Sequence, residues 1–306
     1  MVVFKQMLVF LVMILLGVAA GKCKIVTKEN QSQFSAMVIN IACPCLILSS
    51  AAVGGPRIAA KELGMVLGIF ILLLILVLLV SKLVPIFLRY EKKDRSMVNM
   101  MGWCTNITFI GLPLVQSLYG SQAVIYVTFA IMMINTLFYS YGVILVSSNT
   151  GQRQKFHLKT LINPGMISCL LACLLYFSQV MLPDFLISSL AMVGNLTAPL
   201  AMMMIGVGLL DVQLKEVITD GKLLLFAIIK MLIVPIVLLL FIKQLTDHVF
   251  LLATCMAMVA APTGGMVAML ATLYNPDAYL MVTKEISFTT LLSVVTIPIV
   301  AAVIGI

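Results

Sequence analysis

Two stretches of the sequence carry residue types and spacings suited to holding an anion inside nonpolar surroundings. The first is "NITFIGLPLV", Asn106 to Val115, and the second is "AAPTGGMVA", Ala260 to Ala268. Pro113 and Pro262 lack an amide proton and crowd the preceding turn of a helix, while Gly111, Gly264 and Gly265 leave helical angles at little cost. Each stretch reads as a break in a helix. The half-helix that follows a break presents unpaired N–H groups and partial positive charge, a natural seat for a small carboxylate. Asn106 lies seven residues before Pro113, about two helical turns, and so on nearly the same face. Its amide can donate to a carboxylate and accept from a backbone N–H, or it can serve as an interhelical packing bond. The candidate binding residues are Asn106, Gly111, Leu112, Pro113, Ala261, Pro262, Thr263, Gly264 and Gly265.

Three charges sit within apolar runs: Lys230 in "FAIIKMLIVP", and Lys284 with Glu285 in "MVTKEISFTT". Charges at membrane depth are costly and usually face a cavity or a partner. Lys284 and Glu285 are neighbours and project about 100° apart, so only one can reach a given point. A lysine there would compensate half-helix C-termini, and Glu285 would load and release a proton. The alternative is a buried ion pair of Glu285 with Lys230.

The elements that position these residues must span a bilayer. The chain has 306 residues, 62% of them apolar and 10% charged, with mean hydropathy +1.19, beyond the range of water-soluble domains. No charge occurs from Ser96 to Gln152, a run that holds two crossings with "YGSQ" (119–122) as the turn. Apolar runs of roughly 18 to 25 residues predict ten spans near 3–21, 33–53, 63–86, 98–118, 122–147, 163–181, 186–209, 222–243, 248–272 and 278–304. The first is read as a retained helix, with a cleaved signal peptide as the alternative.

Linkers after spans 1, 3, 5 and 7 carry twelve Lys and Arg residues, against four on the other side. Basic residues stay cytoplasmic, so both termini are expected outside and the linker at 148–160 inside. The net charge of +8 is thereby explained by topology, and no nucleic-acid partner is expected. Seven cysteines fall mostly in apolar runs without metal-ligand or disulfide spacing. No cofactor or metal is expected.

The halves repeat. "LYGSQAVIYVTFAI" (118–131) and "LYNPDAYLMVTKEI" (273–286) share six of fourteen residues, and at the same offset of 155 "NIACP" (40–44) meets "NLTAP" (195–199). Five spans per half is odd, so the second copy enters the membrane inverted, an arrangement of secondary transporters whose substrate site lies at the midplane. The expected fold is an all-α integral membrane protein of ten transmembrane helices, with repeats at 1–147 and 161–306 and broken crossover helices 4 and 9.

At these residues the sequence resembles the auxin efflux carrier family, which includes plant carriers and bacterial permeases for malate, malonate and similar acids. The resemblance rests on "NITFIGLP", "YG" at 119–120, "NPG" at 163–165, "TAPLAMMMIGVGL" at 197–209, "AAPTGG" at 260–265 and "TTLLSVVTIPIV" at 289–300. It implies a bile acid symporter-like fold, with spans 1, 2, 6 and 7 as a scaffold that also forms a homodimer. Spans 3–5 and 8–10 would form the moving transport domain. It also implies that Asn106 holds the substrate carboxylate. The long cytoplasmic loop of many plant members is a short linker here, and span 3 carries no charge from Leu63 to Val80.

The function expected is secondary active transport of small organic anions, mono- or dicarboxylates or auxin-like acids, with a proton or sodium as coupling ion. The alternatives are a cation/proton antiporter, which would place Asp at the crossover, and a transporter-derived sensor. A membrane-embedded enzyme would need paired aspartates, a zinc-binding His pair or a nucleophile with its base, and the spans carry none of these.

Overall fold

Apolar runs in lipid must satisfy their backbone internally, which leaves the helix as the solution for a single segment. A computed structural model describes residues 2–52, 58, 60–147, 162–211 and 220–306, and among them all regular structure is helical. Among the described residues seven helices are long and apolar enough to cross a bilayer: Val2–Lys22, Asn30–Ala52, Lys61–Phe87, Ser121–Ser147, Asp184–Gly208, Gly221–Lys243 and Pro276–Ile304. Three shorter apolar helices, Ile107–Tyr119, Pro164–Ser178 and Val249–Ala260, fall where the sequence predicts spans 4, 6 and 9. The chain is an all-α, multi-pass membrane protein. The linker at 148–160 lies outside the described residues, as do Arg57 and Lys215.

Proline shapes several of these helices in one recurrent way. A single wide turn, Val38–Ala42, Ile107–Gly111 or Ile229–Ile233, ends two residues before Pro44, Pro113 and Pro235. In each, the N–H after the turn bonds five residues back: Cys43 to Val38, Leu112 to Ile107, Val234 to Ile229. Proline cannot donate to the carbonyl four residues earlier and its ring presses on it, so the helix relieves the clash by widening one turn. At "YGSQ" the helix Leu112–Tyr119 stops at Gly120, whose φ of 74° favours glycine, and Ser121–Leu137 begins.

Close helix crossings hold the N-terminal helix Val2–Lys22 along Thr197–Gly208. Gly17 rests on the backbone of Met203, and Gly206 on the backbone of Ile14 and Val18, so neither position has room for a Cβ. Gly194 similarly meets Leu46, whose Cα would lie 2.7 Å from an added Cβ. Small residues permit this approach, and dispersion over the long contact holds it in lipid, where no hydrophobic force operates between helices. Cys43–Ala52 packs between Pro164–Ser178 and Asp184–Gly194.

At one end of the molecule His248 caps Val249–Ala260 by accepting from Leu251 N at 3.3 Å. Its Nε2 lies 3.3 Å from Glu62 Oε1, which also accepts from Tyr126 Oη at 3.0 Å. This trio ties together the ends of three helices.

Gly206→Ala is expected to lower the thermal unfolding midpoint of the detergent-purified protein, with an overpacking cost of about 1–3 kcal/mol. Gly68→Ala, at a position with nothing within 4 Å of an added Cβ, is expected to leave it unchanged or slightly raised.

Candidate functional site

Both predicted breaks exist, and they cross. The first broken span runs as Arg95–Trp103, stops, and resumes at Ile107; the second runs as Val249–Ala260 and resumes at Met266. The extended segments between the halves pair as an antiparallel bridge, Thr105 with Thr263. Asn106 N donates to Pro262 O at 2.7 Å and Gly264 N donates to Cys104 O at 2.8 Å. Each threonine hydroxyl then reaches the other span's half-helix: Thr105 Oγ1 donates to Met258 O (2.9 Å) and Thr263 Oγ1 to Met101 O (3.2 Å). These are carbonyls that an interrupted helix would leave unpaired. Thr263 N donates in turn to Thr289 Oγ1 of the last helix, Tyr279–Ile304, at 3.3 Å.

The first break lies upstream of its expected place. Gly111 and Pro113 do not unwind the chain, because the wide turn Ile107–Gly111 accommodates the proline within the helix. The unwound residues are Cys104, Thr105 and Asn106, and "NITFIG" begins the resumed helix. Gly111 instead gives close passage, since an added Cβ would lie 3.0 Å from both Ala257 Cβ and Ile107 Cγ1. Gly264 serves the crossover in the same sense, with Thr105 O 3.2 Å from an added Cβ.

A cavity of about 620 Å3 adjoins the crossover. Of the candidate binding residues, Asn106, Gly264 and Gly265 line it. Gly111, Leu112, Pro113, Ala261, Pro262 and Thr263 are buried behind the wall. Asn106 caps its half-helix, with Oδ1 accepting from Phe109 N at 3.3 Å. That bond fixes the side chain and leaves Nδ2 as its donor. The second half-helix, Met266–Tyr274, has no side-chain cap at Gly265; Val267 N and Ala268 N bond back to Gly264 O and Gly265 O, while Gly265 and Met266 line the cavity. A smaller cavity of about 180 Å3 shares Ser35, Asn106, Phe109 and Gly265 and continues to Ser287 and Thr290.

The cavity also gathers Asn40, Asn135, Asn163 and Tyr139; the sequence motifs include Asn40 and Asn163 without assigning them to the site, and Asn135 and Tyr139 stand in none. The available signal was a lone amide inside an apolar run, most clearly at Asn40, which stands in the wide turn before Pro44. Apolar walls come from Ile39, Ile47, Ile131, Ile134, Phe138 and Met269. Among the described residues no Lys, Arg, His, Asp or Glu lines this cavity.

The buried charges lie elsewhere. Glu285 is fully buried and Lys230 nearly so, at 0% and 3% exposure, and the two attract one another electrostatically. Among the described residues neither Lys230 Nζ nor either Glu285 oxygen has a hydrogen-bond partner. Lys230 also lies near Cys104 of the crossover, and Glu285 O accepts at 2.7 Å from Thr289 Oγ1, the same hydroxyl that accepts from Thr263 N. Lys284 is only half-buried. Of the two adjacent charges, it is Glu285 that faces the interior.

A family model described as membrane transport protein matches residues 2–301. The chain belongs to that family. It is the auxin efflux carrier family that the sequence motifs resemble, so the protein is a membrane transporter rather than an enzyme, and its surroundings are a substrate and a lipid bilayer. No curated protein matched the chain.

Thr289→Val leaves Thr263 N without its acceptor. It is expected to destabilise the protein by about 1–3 kcal/mol, seen as a lower unfolding midpoint, while Thr272→Val, whose hydroxyl is exposed and bonds only within its own helix, leaves that midpoint unchanged.

Proposed function

We propose that this transporter moves small organic anions by alternating access, as a secondary active carrier. The observation that carries the reading is the crossing of two interrupted helices at the wall of a cavity with neutral polar donors. In this reading ten spans form two inverted five-span repeats, 1–147 and 161–306, and spans 3–5 and 8–10 shift against a scaffold of spans 1, 2, 6 and 7. The scaffold pairs in a homodimer, both termini lie outside, and the linker at 148–160 is cytoplasmic. The cavity lining includes Ser32 and Asn163, at helix ends next to basic linkers assigned to the cytoplasm. The state is inward-facing.

The substrate carboxylate sits between Asn106 Nδ2 and the uncapped N-terminus at Gly265 and Met266, where amide donors and the helix dipole favour negative charge. One carboxylate is what this lining can hold. A second would be desolvated with no cation among the described lining residues to meet it, at a cost of several kcal/mol. A monocarboxylate with an apolar body therefore fits better than malate or malonate, its body lying on Ile39, Ile131 and Phe138.

Ion coupling falls to the charges behind the crossover. Lys230 supplies fixed positive charge near the half-helix C-terminus at Cys104, and Glu285 carries the coupling proton. Lys284, on the same helix but half-exposed, is secondary.

Competition uptake into proteoliposomes tests the site. Aromatic and branched monocarboxylates are expected to compete at least tenfold better than malate or malonate, and Asn106→Ala to lose roughly 10- to 100-fold in uptake, the worth of a charge-assisted hydrogen bond. Full activity in Asn106→Ala removes that residue from the site, and binding without flux identifies a sensor. Uptake measured against pH and sodium in Glu285→Gln and Lys284→Ala assigns the coupling: only the first is expected to abolish the pH dependence.

A further inference from the structure

A group of polar side chains at the end of the molecule near Gly120 takes no part in the substrate cavity, and its geometry fixes where a proton sits. His248 caps the half-helix Val249–Ala260, with Leu251 N donating to its Nδ1 at 3.3 Å. A backbone N–H can only donate, so Nδ1 holds a lone pair and the one ring proton of the neutral imidazole is on Nε2. Nε2 faces Glu62 Oε1 at 3.3 Å and Tyr126 Oη at 3.4 Å, while Tyr126 Oη donates to the same Glu62 oxygen at 3.0 Å. Carrying the proton, Nε2 has no lone pair to offer a metal ion, although it stands beside a carboxylate and a phenol.

Packing holds the ring in this pose. The rings of Tyr126 and His248 have centres 5.2 Å apart, and Phe250 stands edge-on to both, at 5.9 Å and 5.6 Å. His248 N is tied to Thr246 Oγ1 at 3.1 Å. Water still reaches the ring, since the side chains of His248 and Glu62 are each 33% exposed. Leu251, by contrast, is fully buried. Among the described residues, the ionisable groups facing His248 from packed elements are Glu62 of Lys61–Phe87 and Tyr126 of Ser121–Leu137. Tyr176 of Pro164–Ser178 stands near those two, its hydroxyl accepting from Ile58 N at 3.0 Å. Tyr119 meets Phe250, and Asp247 on the same loop as His248 is exposed.

A second proton has one place to go. It must enter at Nδ1, where it turns the acceptor into a donor that confronts Leu251 N, and the cation so formed sits at the positive end of a helix. The imidazolium therefore leaves the cap and turns to the Glu62 carboxylate. Protonated and capped are mutually exclusive: the cap holds while the ring is neutral and is lost as pH falls.

We propose that His248 is a proton-sensing cap. Acid on this face releases the start of Val249–Ala260, the half-helix whose other end enters the crossover at Ala261 and holds Thr105 through Met258 O. The proton it senses is separate from the one assigned to Glu285. Only the side of the membrane, outside, rests on the proposed topology.

The chain has two histidines, so 15N-histidine spectra of the His157→Gln protein in lipid nanodiscs isolate His248. At about pH 8 they should show Nε2 protonated and Nδ1 bare, giving way to imidazolium within the range of roughly pH 5 to 8 in which histidine changes charge. Over the same range, hydrogen exchange at the Leu251 amide, normalised to the unfolded-chain rate at each pH, should become about fivefold faster, the worth of a helix cap. His248→Asn, a cap that does not titrate, should keep the slow exchange at every pH, and His248→Ala the fast one. The opposite tautomer at about pH 8 overturns the proposal. So does Leu251 exchange that ignores acid, or that responds to it alike in wild type and His248→Asn. None of these readouts uses a substrate, so their failure leaves the carrier reading untouched.

Discussion

The reciprocal pairing of two unwound segments is the constraint on which the rest of the molecule depends. Interrupting a helix inside a membrane frees backbone groups that lipid cannot satisfy. Here each break supplies what the other lacks: Asn106 N meets Pro262 O, Gly264 N meets Cys104 O, and the hydroxyls of Thr105 and Thr263 meet Met258 O and Met101 O. Neither break is stable alone, so the two broken spans must lie together at one depth. Gly111 and Gly264 supply the clearance for that approach.

Satisfying the C-terminal halves in this way leaves the starts of the N-terminal halves at the cavity, where the proposed function seats the ligand. Side-chain hydroxyls cover carbonyls, while the Asn106 side chain and the half-helix start at Gly265 and Met266 stay at the cavity. Electrostatics divide along the same line. The cavity wall is neutral among the described residues, and the buried charges Lys230 and Glu285 sit behind the crossover, linked to it through Cys104 and Thr289. In the proposed function a ligand and a proton act on one crossover from opposite sides without touching. Coupling between sites needs such a shared element with two arrangements, and an extended crossing held by a handful of hydrogen bonds is more easily shifted than a continuous helix.

Proline has two distinct uses in this chain. Pro44, Pro113 and Pro235 each follow one wide turn and stay within a continuing helix. Pro262 lies in the extended segment itself, and its carbonyl joins the bridge. Local sequence does not separate these cases, since Pro113 and Pro262 both have glycine within two residues. The difference lies in the partner across the crossing.

The sequence by itself determined the membrane class, the positions of the apolar helices, the turn at Gly120 and the existence of two interruptions. These follow from composition and hydrophobic run length, because lipid imposes the same demand on every segment independently. It also led to Asn106, Gly264 and Gly265 at the cavity, and to Glu285 and Lys230 as buried charges. Only the tertiary structure decided that the first break falls at Cys104–Asn106, that Gly111, Leu112 and Pro113 pack behind the wall, that Asn40, Asn135 and Asn163 join Asn106, and that Glu285 rather than Lys284 faces the interior. Each of those outcomes depends on contacts between segments far apart in the chain. No local propensity encodes which carbonyl a distant threonine will reach.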